Sequence, residues 1–232
     1  MFSLFPAEIE AVLLSLQVAF WSVGLSLPFG IAVAWLLARK NFPGRMLVDG
    51  LVHLPLVVPP VVVGYLLLVL LGRQGVIGAW LYDWFGISVI FTWKGAAVAS
   101  AVMAFPLMVR AIRQSIEAVD RGLEDAAATL GAPPLQVFGT ITLPLITPGI
   151  LTGVILAFAR SLGEFGATIT FVSNIPGETR TLPLALFTQV QTPGGENNAL
   201  RLVIISVVLA LAALIISELL SRRLVRRQGG DA

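Results

Sequence analysis

Ala11 to Ala38 runs for 28 residues without a charged side chain, and this stretch limits the possible folds more than any other feature of the chain. Hydrocarbon offers a backbone N–H or C=O no partner, so a segment this apolar must satisfy its own hydrogen bonds as a helix. At 1.5 Å per residue it extends about 42 Å, beyond the roughly 30 Å of a bilayer core, which implies tilt or extension past it. Comparable runs cover about residues 51–71, 93–109, 147–172 and 202–220. With 57% hydrophobic and 12% charged residues and a mean hydropathy of +0.92, the composition is that of a membrane protein. The expectation is an all-α polytopic membrane bundle of five transmembrane helices, forming one domain over residues 1–232.

Lys and Arg in short connecting segments are retained on the cytoplasmic side. Arg39, Lys40 and Arg45 follow the first run, Arg110, Arg113 and Arg121 the third, and Arg222, Arg223, Arg226 and Arg227 the fifth, ten on one face. Arg73, Lys94, Arg180 and Arg201 make four on the other, with Arg160 inside the fourth run. The N-terminus is therefore expected outside and the C-terminus in the cytoplasm. Glu8 and Glu10 read as an acidic tail that is translocated. The tail lacks the basic region and cleavage site of a signal peptide, so the first run is expected to stay in place.

The chain has no cysteine and one histidine, His53, which removes disulfides, thiolate chemistry and Cys-ligated zinc. His53 reads as a structural side chain near the inner surface. No GxxxxGK[ST] loop, HExxH helix or GxSxG elbow occurs, so any energy-consuming chemistry belongs to another subunit. No catalytic role, metal or cofactor is expected. The basic balance reflects the charged loops of one face, and nucleic acid is not an expected partner.

The connection at about residues 110–146 carries the clearest pattern outside the membrane. From Arg121 to Leu130 the chain is helix-prone, with Leu123, Ala127 and Leu130 on one face, and Gly131 before Pro133-Pro134 is a stop signal that suits a positive φ. A second short helix is expected to restart near Pro134. Alanines 126, 127 and 128 keep one side thin enough for a partner's backbone, and Glu124 and Asp125 charge the start. Taken alone, this element is either a docking helix or an amphipathic loop lying on the membrane.

Ala126, Ala127, Gly131, Ile141, Leu143 and Pro144, in that order and with those gaps, resemble the EAA loop of ABC importer permeases. Asp125 stands where that motif usually has Glu, and Glu124 precedes it about 100° round a helix, so the carboxylate that meets a partner is left open. The resemblance implies a MetI-like permease fold and a coupling helix seated on a cytosolic ABC ATPase subunit. Ala38-Arg-Lys-Asn-Phe-Pro-Gly44, His53-Leu-Pro-Leu-Val-Val-Pro-Pro60, Ala159-Arg-Ser-Leu-Gly-Glu-Phe-Gly-Ala167 and Ser173-Asn-Ile-Pro-Gly-Glu-Thr-Arg180 extend it over almost the whole chain. They are similar to the molybdate permease subunits of bacterial importers, with sulfate and tungstate permeases as relatives. That similarity implies a homodimer in the inner membrane, working by alternating access and fed by a periplasmic molybdate-binding protein. An ion channel, which needs no ATPase, would leave the EAA spacing unexplained.

Arg160 and Glu164 are the charges that fall well inside a run, spaced i,i+4 and hence expected on one helical face. Intramembrane charges are costly and point at a partner or a wet cavity; the alternative is a self-neutralising ion pair near the outer interface. With Ser161, Thr168 and Thr170 they form the candidate translocation path or gate. Gly149, Gly153, Ala157 and Ser161 recur at every fourth position, a stripe for close helix packing either within a subunit or across a dimer. Pro55, Pro59 and Pro60 are expected to kink the second span and Pro106 the third. Outside, residues 173–199 include a candidate short helix at Leu182 to Val190, and Trp80, Tyr82 and Trp84 are placed at headgroup level.

Overall fold

Among the described residues every regular element is a helix, the form that closes its own backbone hydrogen bonds as a bilayer requires. The computed structural model describes residues 5–228. In order these are α1 (Pro6–Arg39), α2 (Arg45–Val57), α3 (Pro60–Leu71), α4 (Val76–Phe85), α5 (Trp93–Ala118), α6 (Arg121–Thr129), α7 (Pro134–Val137), a π-helical turn (Phe138–Thr142), α8 (Leu143–Leu162), α9 (Gly166–Val172), α10 (Leu182–Gln191) and α11 (Glu196–Gln228). Among the described residues four segments are each long and apolar enough to cross a membrane: Pro6–Arg39, Trp93–Ala118, Pro134–Leu162 and Glu196–Ile216. The pair α2 and α3, bent by 116°, makes a fifth if counted as one span.

That bend corrects the expectation of a kinked but continuous helix over 51–71. Pro59 and Pro60 both lack an N–H, and a residue before proline is pushed out of the α region. Val58 accordingly sits extended at φ −77, ψ 138, and the helix stops and restarts at Pro60. The fourth expected span, 147–172, is likewise broken between Leu162 and Gly166. The restarted halves α3 and α9 pack on each other closely enough to exclude side chains. A Cβ on Gly64 would stand 2.9 Å from Ala167 Cα, and one on Gly166 would stand 2.7 Å from Pro60 Cβ.

The core lies where α1, α5 and α8 cross. Leu37, Met108, Ile112, Ile116 and Ile146 are fully buried towards the α5–α6 end, and Val18, Ala96, Ala99 and Phe171 towards the other. The small-residue stripe of α8 serves this crossing. A Cβ on Gly153 would lie 3.1 Å from Met108 O, one on Gly149 would overlap the Ser115 side chain, and the Ser161 hydroxyl meets that of Ser22 on α1 at 2.7 Å. The stripe is therefore a contact within one chain. Exposed apolar side chains dominate the described part of α11, from Val203 and Ile204 to Ile216.

Two expected loops carry helices. α10 occupies 182–191 and buries Leu182 and Leu184, close to the sequence expectation, and α4 carries Trp80, Tyr82 and Trp84 on an exposed surface. Glu8 is not part of a free acidic tail. It lies in the first turn of α1, accepts from the Phe5 N–H at 2.8 Å and meets Arg201 Nε and Nη2 at 2.9 Å each.

Candidate coupling loop and intramembrane charges

Asp120 opens α6 by accepting the Gly122 N–H on its side chain at 2.9 Å, an N-cap that satisfies one orphan donor. Gly131 closes it at φ +89. The Gly131 N–H reaches Ala128 O at 3.0 Å and the Ala132 N–H reaches Ala127 O at 3.2 Å, the two bonds of a Schellman stop. Pro133 is extended, Pro134 starts α7, and the chain runs through the π-helical turn into α8. Pro144 accounts for that turn: it has no N–H for an i−4 bond, and the Leu143 N–H reaches back five residues to Phe138 O.

α6 has no buried residue. Leu123 is half exposed, while Leu130 and Leu135 are 89% and 85% exposed, so an apolar edge projects from the loop with none of the described residues covering it. Asp125 and Ala126 are exposed, and Ala127 is half-buried. Glu124 turns the other way: its Oε1 lies 3.1 Å from Arg39 Nη2 and accepts from Thr142 Oγ1 at 2.7 Å. Thr142 is buried, Ile141 and Leu143 are half-buried and Leu143 packs on the core, while Pro144 is exposed. The loop thus has an inner face, made by Glu124, Ile141 and Leu143, and an outer face, made by Asp125, Ala126 and the exposed leucines.

Arg160 and Glu164 do meet, at 2.7 Å between Nη1 and Oε2, but not as neighbours on one helical face. α8 has ended at Leu162, and Glu164 reaches back from the break. Its Oε1 accepts the Ala167 N–H at 2.8 Å, capping α9, while Oε2 meets the guanidinium off a hydrogen-bonding axis. The carboxylate is 1% exposed and the Arg160 side chain 28%, so a buried anion is paired with a cation that looks outward. Ser161 is taken up by Ser22, the Thr170 hydroxyl donates to Gly166 O at 2.8 Å, and Thr168 is buried with no partner for its hydroxyl among the described residues. The structure brings Arg160 and Glu164 together and keeps Ser161 and Thr168 inside the chain.

A polar cluster that sequence reasoning missed joins α2 to α5. Arg113 bridges Asp49 Oδ1 at 3.0 Å and Glu117 at 2.8 Å, and His53 Nδ1 lies 2.9 Å from Asp49 O. Helical spacing of Asp49 with His53 and of Arg113 with Glu117 was visible; the meeting of the two helices was not.

Residues 26–227 match the family described as binding-protein-dependent transport system inner membrane component. The chain belongs to this family. The permease is 65% identical over 222 residues to the molybdenum transport system permease protein ModB of Escherichia coli strain K12, covering 96% of this chain and 97% of that one. It is 60% identical to ModB of Haemophilus influenzae, with the same coverage. In fold it resembles a crystal structure of a bacterial ABC transporter that imports the acidic polysaccharide alginate, at a TM-score of 0.76 and 22% identity over 95% of this permease and 80% of that chain. It is an inner-membrane permease subunit of the ABC importer class, and its loop at 121–144 lies within the matched region.

Proposed function

We propose that this permease moves molybdate from the periplasm to the cytoplasm by alternating access at a homodimer interface. A separate cytosolic ABC ATPase supplies the energy and a periplasmic molybdate-binding protein delivers the anion. The observation that carries this reading is the outer face of α6: a short helix projecting beyond the bundle with exposed leucines, thin alanines and an uncommitted Asp125. Such a face suits a groove in a partner, and it is poorly explained as a solvated loop. Similarity to the two ModB permeases of molybdenum transport supports the substrate.

Movement of α6 is passed on to the bundle and changes the inclination of its helices. The breaks before α3 and α9 then supply the hinges, and the α3–α9 pair moves as one piece. Arg160 and Glu164 sit at the second hinge. Arg160, partly exposed, draws a dianion without being freed from Glu164, so the anion is steered and not trapped. Ser161, just before that hinge, ties α8 to α1 through Ser22, while the Thr170 hydroxyl stays within α9 on Gly166 O and the buried Thr168 hydroxyl, without a partner among the described residues, is free to bond when the hinge moves. Proteoliposomes carrying the permease, its ATPase and the binding protein test the proposal. Uptake of labelled molybdate that requires ATP and is competed by tungstate more than by sulfate is the expected result. Uptake without the ATPase would point to a channel, and preference for sulfate would reassign the substrate.

A further inference from the structure

The two adjacent carboxylates of the loop have separate environments. Asp125 is exposed, whereas Glu124 crosses from α6 to two other elements: Arg39 in the last turn of α1, and Thr142 at the end of the π-helical turn. Arg39 Nη2 also donates to Val119 O at 3.3 Å, so one guanidinium holds both the start of the loop and the coupling helix. The side chains of Arg39 and Glu124 are only 9% and 18% exposed, which leaves the pair weakly screened by salt.

Without this contact α6 has little hold on the bundle. It buries no residue, and each of its ends is a turn: Val119 and Asp120 are extended at one end, and Gly131 and Pro133 turn at the other. Turns of this kind absorb rotation, so displacement of α6 would dissipate in its own flanks. The π-helical turn also sets the rotation of α8. One residue more per turn rotates the next helix by about 100° relative to a straight one, and the turn ends on the residue whose hydroxyl reaches Glu124.

We infer that Arg39, Glu124 and Thr142 form the joint that transmits movement of the coupling helix to α1 and α8, with Glu124 committed to the bundle and unavailable to the ATPase. This rests on the reading that the loop docks an ATPase. Glu124 is a positioning residue in this account, and it couples a third helix, α1, to a loop whose chain connections are to α5 and α8 alone.

The test uses the assembled transporter in proteoliposomes. Because the chain has no cysteine, spin labels at Ala128→Cys and Asn41→Cys report the α6-to-α1 distance specifically. In the parent protein this distance stays narrowly distributed with and without ATP. In Glu124→Ala it broadens, and molybdate moved per ATP hydrolysed falls about tenfold, the size of coupling that a directly contacting pair carries. Co-purification of the ATPase and its basal hydrolysis stay at the parent level, which a general loss of structure would not allow. The charge reversal Arg39→Glu with Glu124→Arg restores part of the ratio. If Glu124→Ala inserts poorly, Glu124→Gln, which keeps the Thr142 bond and removes the charge, carries the same comparison.

A narrow distance with a parental transport ratio in both Glu124 variants overturns the joint. Loss of ATPase binding in Glu124→Ala overturns it too, because Glu124 would then be a docking contact. The underlying reading fails separately, if the unaltered permease retains no ATPase or moves no molybdate with ATP.

Discussion

Replacing Gly131 with valine probes the loop where backbone geometry alone sets the outcome. Gly131 sits at φ +89 with nothing within 4 Å of where a Cβ would stand, so substitution meets no clash and the whole penalty is conformational. Holding an L-residue in this region costs about 1 to 2 kcal/mol, and a β-branched one more. The Schellman bonds to Ala128 and Ala127 are the contacts at stake, and each contributes about 1 kcal/mol. The stop therefore loses roughly 2 to 3 kcal/mol, enough to reduce the correctly formed end of α6 by about 30- to 160-fold relative to its frayed alternatives. Pro133-Pro134 then leaves at another angle. The bundle is unaffected, because Gly131 touches none of the core. The expected phenotype is a permease that inserts at the parent level, has lost ATP-dependent molybdate uptake, and no longer supports hydrolysis stimulated by the loaded binding protein. Gly139→Ala is the control: it has open space for a Cβ and no positive φ, and it should behave as the parent. Normal uptake with normal stimulated hydrolysis in Gly131→Val would refute the reasoning, since the loop could not then be the transmitting element.

Glu164→Gln keeps an acceptor for the Ala167 N–H but strips Arg160 of its counter-charge, so uptake should fall about tenfold, the partial exposure of Arg160 limiting the loss, while ATPase assembly persists; parental uptake in both Glu164→Gln and Arg160→Gln would leave only a self-neutralising pair. Arg201→Ala leaves Glu8, whose side chain is 8% exposed, without its partner, and should lower thermal stability in detergent by about 2 to 3 kcal/mol, discounted for the quarter-exposed arginine; an unchanged melting profile would show that water already reaches Glu8. Single cysteines at Ser3 or Asn197 should react with an impermeant thiol reagent in intact cells, and those at Gln136 or Gln228 only after lysis; labelling of the Gln136 variant in intact cells would reverse the orientation.

The helical spans were legible because uncharged length has one solution in hydrocarbon. Their ends were less so: α5 runs on to Ala118 because Arg110, Arg113 and Glu117 continue the helix past the apolar run, where charge marks the bilayer edge and not the helix end. The two breaks were written as prolines and a Gly163-Glu164 step, but a local signal for a kink is the same as for a full stop. What decides is whether the second half finds its own partner, and here α3 and α9 find each other through Gly64 and Gly166. The Arg160 and Glu164 pair was expected for a reason that did not hold, since Glu164 lies beyond the helix. The loop at 121–144 was almost fully readable as structure, because its helix, its glycine stop and its proline restart are local chemistry. The division of labour between Glu124 and Asp125 was hidden, since it depends on Arg39 and Thr142, 85 and 18 residues away from Glu124 along the chain.

The clasp between Glu8 and Arg201 has a consequence for how the protein is made. The two residues are 193 positions apart, so at 5 to 20 residues per second about 10 to 40 s separate their synthesis. During that interval the first helix is already in the membrane with a carboxylate that has no cation to meet, and such a charge stays hydrated at the surface until α11 enters. The final helix therefore closes the bundle by drawing the first one into register. A chain cut short before Arg201 therefore keeps a hydrated carboxylate in its opening turn, and only the complete one can bury it.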